Sequence, residues 1–203
     1  MTHQPVFHLL AGPNGAGKST LFRALVRDGI IGADLEFVNA DLHERDHLQH
    51  IADPEQRSSA ARQWADAQRS AKLLAKESFA SETVFSHESK LALIEEAIAH
   101  GYVVALYIVA LDDPQRLLAR VQRRVREGGH DVPAGRILAR YPRTLENLSK
   151  AVRLATVAYL FESREIEDGG HQLVAMCQGE KVTGFVEGVP LWVKKILGGS
   201  QGA

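Results

Sequence analysis

Nine consecutive residues, Gly12-Pro13-Asn14-Gly15-Ala16-Gly17-Lys18-Ser19-Thr20, carry the clearest chemistry in the chain. They match G-x-x-x-x-G-K-[ST], the spacing of a loop that wraps phosphate groups. Gly12, Gly15 and Gly17 allow backbone N–H groups to turn inward around phosphate oxygens. Lys18 has the reach to contact β- and γ-phosphates, and the Ser19 hydroxyl is placed to ligate Mg2+. A helix opening at Thr20 directs its positive end at the same anion. A nucleoside triphosphate with Mg2+ is therefore the expected ligand, and nothing in the chain reads the base.

Such a loop serves several chemistries. A regulatory GTPase would show N-K-x-D and a transporter ATPase L-S-G-G-Q, and neither string occurs. Asp112-Asp113, after the apolar residues 103–111, resembles the end of a metal-binding Walker B strand and keeps an ATPase switch open. Pro114 follows directly, however, and Asp-Asp-Pro is equally turn and helix-start chemistry. The arginines favour a kinase. Between Arg116 and Arg143 there are eight arginines and no lysine. Phosphoryl transfer spreads negative charge over equatorial oxygens, and small-molecule kinases commonly bring arginines to it on a mobile lid. Residues 116–143 are read as that lid, with Gly128-Gly129 as its hinge. Arg126 and Arg140, flanking the hinge, are the candidates to close over the γ-phosphate, and the other arginines also suit a solvated basic face. His130 in the hinge could contact phosphate, although a lone loop histidine also reads as structural.

The acceptor hydroxyl needs a group to orient it and take its proton. Asp41, read as closing a strand in Val38-Asn39-Ala40-Asp41, is the candidate catalytic base, with a helix N-cap as its structural alternative. Glu82 and Thr83 are expected to face the acceptor and bind its hydroxyls, or else to form a plain strand-to-loop pair. The leading reading is a small-molecule kinase that moves a γ-phosphate onto a hydroxyl. An ATPase switch, or a binding module without a small acceptor, stays open beside it.

These residues need a scaffold. Short apolar runs at 6–11, 36–41, 79–84 and 103–111 read as strands. The segments 20–28, 55–78, 86–100, 114–127 and 135–156 show apolar residues at helical spacing, with Pro54 suited to a helix start. Residues 158–162, 171–177 and 182–186 read as strands around a turn at 178–181, before a last helix at 190–197. The alternation predicts an α/β fold, a three-layer sandwich with a mostly parallel central sheet, an arginine-rich helical lid and a C-terminal β-hairpin. Ligands in such sheets sit beyond the carboxyl ends of the strands. That places residues 12–20, Asp41, Glu82, Thr83, Asp112 and Asp113 in one cleft.

With 203 residues, 45% of them hydrophobic, the chain suits one globular domain over residues 1–203. A formal net charge of −1 argues against nucleic acid or an anionic membrane as a bulk partner. The single cysteine, Cys177, cannot form an internal disulfide and reads as a small core hydrophobe in a reducing compartment. Neither a signal peptide nor a membrane span is expected, which reads as a cytoplasmic protein.

GPNGAGKST, VNAD, FASETV and the long stretch REGGHDVPAGRILARYPRTLENL together make the chain resemble the zeta-toxin family of P-loop kinases over residues 6–165. The resemblance implies a P-loop NTPase fold and ATP as the phosphate donor. It further implies Lys18 and Ser19 as loop residues, Asp41 as base, Glu82 and Thr83 as a sugar-contacting pair, and Arg126 and Arg140 as γ-phosphate ligands. Family members of the toxin type phosphorylate UDP-N-acetylglucosamine on a sugar hydroxyl and are restrained by a small antitoxin. The resemblance therefore implies a nucleotide-sugar acceptor and an antitoxin partner.

Overall fold

A computed structural model describes residues 4–126, 132–165 and 170–198. The expected hinge Gly128-Gly129 and His130 lie outside these residues. Seven strands among them form one sheet. They are β1 (Val6–Ala11), β2 (Phe37–Val38), β3 (Phe79–Thr83), β4 (Val103–Ala110), β5 (Val157–Ser163), β6 (His171–Gln178) and β7 (Lys181–Gly184). Their order is β2-β3-β1-β4-β5-β6-β7, parallel from β2 to β5 and antiparallel from β5 to β7. The expected C-terminal hairpin is thus β6–β7, added to the edge of the parallel sheet.

Strand β4 is buried at every position but its first, so both faces of the sheet are covered there. That explains its unbroken apolar, β-branched sequence. In β1, Leu9 and Leu10 point to opposite faces, and both are fully buried. Each such side chain contributes about 1.5–3 kcal/mol on burial. Phe7 stacks on Phe79 across the β1–β3 pair, with ring centroids 4.4 Å apart. The chain leaves β1 toward β3 on one side and later returns to β4 on the other. The crevice at such a reversal, beyond the carboxyl end of β1, is where open parallel sheets bind ligands.

The helices are α1 (Lys18–Arg27), α2 (Ala40–His47), α3 (Pro54–Ala75), α4 (Leu91–Ala99), α5 (Pro114–Arg126), α6 (Ala134–Leu154) and α7 (Leu191–Gly198). Helix α3 starts as its sequence predicts: Pro54 takes the first position, and the Asp53 carboxylate accepts hydrogen bonds from the Glu55 and Gln56 amides. Helix α2 is a correction. Residues 36–41 were expected to be extended throughout, yet β2 ends at Val38 and Asn39 caps a new helix through Leu42 N. The polar run after Asn39 lacks a strong apolar stripe, which is why its periodicity does not announce a helix.

Candidate active site

The phosphate loop leaves β1 at Ala11 and enters α1 at Lys18. At Gly12, φ is +147°, and a Cβ would lie 2.0 Å from the Val109 carbonyl oxygen, so only glycine lets the loop pass against β4. No acidic residue occupies the first turn of α1, which leaves its positive end for an external anion. Lys18 is buried, donating from Nζ to the Pro13 carbonyl (3.2 Å) and lying 3.5 Å from Glu82 Oε1.

Glu82 joins three elements. It is the penultimate residue of β3, paired in register with Leu10 of β1. Its carboxylate accepts from Ser19 Oγ at 2.7 Å and from Asn39 Nδ2 at 3.0 Å. Asn39 also accepts from Leu42 N through its other side-chain atom, so one amide ties the start of α2 to the phosphate loop. The sequence reading placed Glu82 at the acceptor. The structure also ties its carboxylate to Ser19 and Lys18, because β3 lies directly beside β1.

Two clefts open at this point. One lies between α2, α3, the end of β3 and α6, and its lining includes Asn39, Asp41, Thr83, Arg62, Arg136 and Arg140. The other runs along the phosphate loop, α5 and the start of β6, with Gly17, Ser19, Thr20, Arg120, Ser163 and His171. Gly15, Lys18, Glu82 and Arg124 line both, so the clefts meet above the loop lysine.

Asp41 lies in the first turn of α2, not at a strand end, and is exposed on the first cleft beside Thr83. Among the described residues no hydrogen bond or ion pair engages its carboxylate, and the capping role falls to Asn39. Arg140 faces the same cleft. Burial, followed by repulsion from Arg136, Arg143 and Arg62, holds its guanidinium below the usual arginine value. Arginines from α3 and α6 thus crowd together, an arrangement that an anion would relieve.

Arg126 is exposed in the last turn of α5, and neither cleft among the described residues is lined by it. The helical phase explains this. Arg120 and Arg124 are four residues apart and share a face, whereas Arg126 is turned about 200° from Arg124. Arg120, which the sequence groups mainly with a solvated basic face, borders the second cleft and donates to Ser163 Oγ (2.5 Å), the Arg164 carbonyl (2.9 Å) and Glu165 Oε1 (3.0 Å). The sequence also offered no signal for Asn39 as a link or for His171.

Asp112 and Asp113 do not join the cleft as expected. The Asp112 carboxylate accepts from Leu191 N (3.0 Å) and Trp192 N (2.7 Å), capping α7 from afar. Asp113 accepts from Gln115 N at 2.9 Å and starts α5. The turn-and-helix-start reading of Asp-Asp-Pro is the one the structure matches.

The sequence profile of the zeta toxin family matches residues 1–170. No curated protein matches the chain. Among solved structures, it is similar to the PezAT chromosomal toxin-antitoxin system of the human pathogen Streptococcus pneumoniae, with 17% identity and a TM-score of 0.63. That alignment covers 79% of this chain and 69% of the other. It is also similar to the native AvrRxo1-ORF1:-ORF2 complex (21% identity, TM-score 0.71, covering 98% of this chain and 66% of that chain). The same complex with ATP gives 20% identity and a TM-score of 0.68, with 90% and 61% covered. The chain therefore spans slightly less than two thirds of the AvrRxo1-ORF1:-ORF2 chains it matches. At these identities the likeness shows the fold, which is that of P-loop NTPases.

Proposed function

The chain belongs to the zeta-toxin family of P-loop kinases, and on that premise we propose that it transfers the γ-phosphate of ATP to a hydroxyl of a phosphate-bearing small molecule. One observation carries the reading: the two clefts meet at Lys18, Glu82 and Arg124. A donor along the phosphate loop and an acceptor beside Asp41 would face each other there.

In this reading the amides of residues 12–20 and Lys18 hold the β- and γ-phosphates. Asp41 orients the acceptor hydroxyl and takes its proton as the new P–O bond forms and the bond to ADP breaks. Lys18, Arg124 and Arg140 stabilise the charge on the equatorial oxygens. Arg124 and Arg140 then fill the pair for which spacing had nominated Arg126 and Arg140, with α5 and α6 as the lid. Ser19 Oγ and the Glu82 carboxylate are adjacent hard oxygen donors, which fits a site for Mg2+. When bound, the ion supplies charge that neutralises the β- and γ-oxygens. Thr83 contributes a hydroxyl to the acceptor cleft.

The crowded arginines of that cleft support an acceptor with its own phosphates, such as a nucleotide sugar of the UDP-N-acetylglucosamine kind. The likeness to the PezAT toxin-antitoxin system supports a small protein antitoxin as a partner. No helix among the described residues is long and apolar enough to cross a membrane. The direct test incubates the protein with γ-labelled ATP, Mg2+ and a panel of nucleotide sugars, nucleosides, sugar acids and aminoglycosides, with Asp41→Ala as control. Label on one acceptor, lost in the control, establishes the kinase. Label released only as inorganic phosphate removes the acceptor from the reading.

A further inference from the structure

His171 is the first residue of β6, and it reaches the phosphate loop from the far end of the chain. Its Nε2 lies 3.1 Å from the Gly17 carbonyl oxygen, across a sequence separation of 154 residues. The segment that carries it lies past the residues matched by the family profile. Its position is set by the sheet: His171 pairs with Ser163 of β5, and β5 lies parallel to β4.

Gly17 is the residue before α1, with φ +94° and ψ 23°. Its carbonyl already accepts from Thr20 N (3.1 Å) and Leu21 N (2.9 Å), the first amides able to close the helix. The peptide unit is planar and trans, so a carbonyl held toward the helix aims the next N–H, that of Lys18, the opposite way. That direction is the phosphate side of the loop, where the helix end presents its free amides. A Cβ on Gly17 would come within 2.9 Å of His171 Nε2, so the imidazole is seated directly against this peptide.

We propose that His171 is a positioning residue for the phosphate loop, donating from Nε2–H to the Gly17 carbonyl and so fixing the Lys18 amide for the bound triphosphate. A carbonyl oxygen can only accept, which places the proton on Nε2. Burial, opposed by the hydrogen bond to Gly17, keeps the imidazole below its ordinary value and therefore neutral near pH 7. Ser163, Arg120 and His171 together border the nucleotide cleft, so the C-terminal hairpin completes the wall of a site whose phosphate contacts come from the N-terminal loop. The proposal rests on the nucleotide-binding part of the function above and is independent of the acceptor.

The test is ATP affinity of the full chain, measured by calorimetry with Mg2+, for wild type, His171→Phe, His171→Leu and His171→Gln. A net hydrogen bond changes an equilibrium by about two- to tenfold. The two donorless variants are expected to bind ATP about fivefold more weakly, with ligand-free melting lowered by only about 1–6 °C, since the same bond is lost from the free fold. His171→Gln places an amide N–H near the position of Nε2 and is expected to bind within about twofold of wild type. A role in packing alone would be served by phenylalanine and not by glutamine. Wild-type affinity in the donorless variants, or equal weakening in His171→Gln, overturns the assignment and leaves the kinase reading standing. A wild-type protein that binds no ATP overturns both.

Discussion

Replacing Asp112 with alanine separates two roles that its sequence context leaves open. In the structure its carboxylate accepts from the Leu191 and Trp192 amides, which have no partner within α7. Loss of such a cap costs about 0.5–2 kcal/mol. Two bonds to one ionised carboxylate place the cost in the upper half of that range, about 1–2 kcal/mol. The helix it anchors buries Trp192, Val193 and Ile196 in the core, so fraying at its start is felt beyond the cap. For a chain of this size, 1 kcal/mol lowers Tm by about 2–4 °C, giving an expected fall of about 2–8 °C. The assay pairs urea unfolding and thermal melting with phosphate transfer at a temperature where the variant is fully folded. Stability should drop while transfer stays within about twofold. Unchanged stability with transfer lost more than a hundredfold would refute the capping assignment and return Asp112 to a metal-binding role.

Four further outcomes follow from the site. Asp41→Ala should lower transfer by at least about a hundredfold, as loss of a general base does, while ATP affinity measured by titration stays within a few-fold. Glu82→Gln keeps the shape and the contact to Ser19 but removes the charge 3.5 Å from Lys18, so the Mg2+ concentration giving half-maximal transfer should rise several-fold. Arg124→Ala should cut kcat about tenfold or more, whereas Arg126→Ala, on the opposite side of α5, should leave kinetics within about twofold. Burial holds His8, beside Tyr107, and His171, beside Arg120, below the usual histidine value. The unfolded chain therefore takes up protons first, and stability present above the unfolded value of about 6.5 is lost as pH falls below it. Tm measured between pH 7.5 and 5.5 should decline, and the decline should shrink in the His8→Gln, His171→Gln double variant.

The phosphate loop was legible in the sequence because its chemistry is local. Glycines, lysine and serine within nine residues specify a turn, a helix start and a cation together. Strand β4 was legible for a similar reason, since a strand covered on both faces must be apolar at every position. Asp41 stands out in the sequence as a carboxylate, but its helical setting does not, because Asn39 turns the chain into a helix whose polar sequence lacks a clear period. What remained hidden depends on which elements become neighbours. Glu82 meets Ser19 only because β3 pairs with β1, and His171 meets Gly17 only because β6 closes onto β5. Asp112 serves a helix about 80 residues away, while Arg124 and not Arg126 faces the clefts through the rotational setting of α5 against the sheet. Residue type and short spacing encode what a side chain can do, since backbone geometry and chemistry act within a few residues. Which partner it meets is set by strand order and helix phase, and these come from burying one core shared by the whole chain.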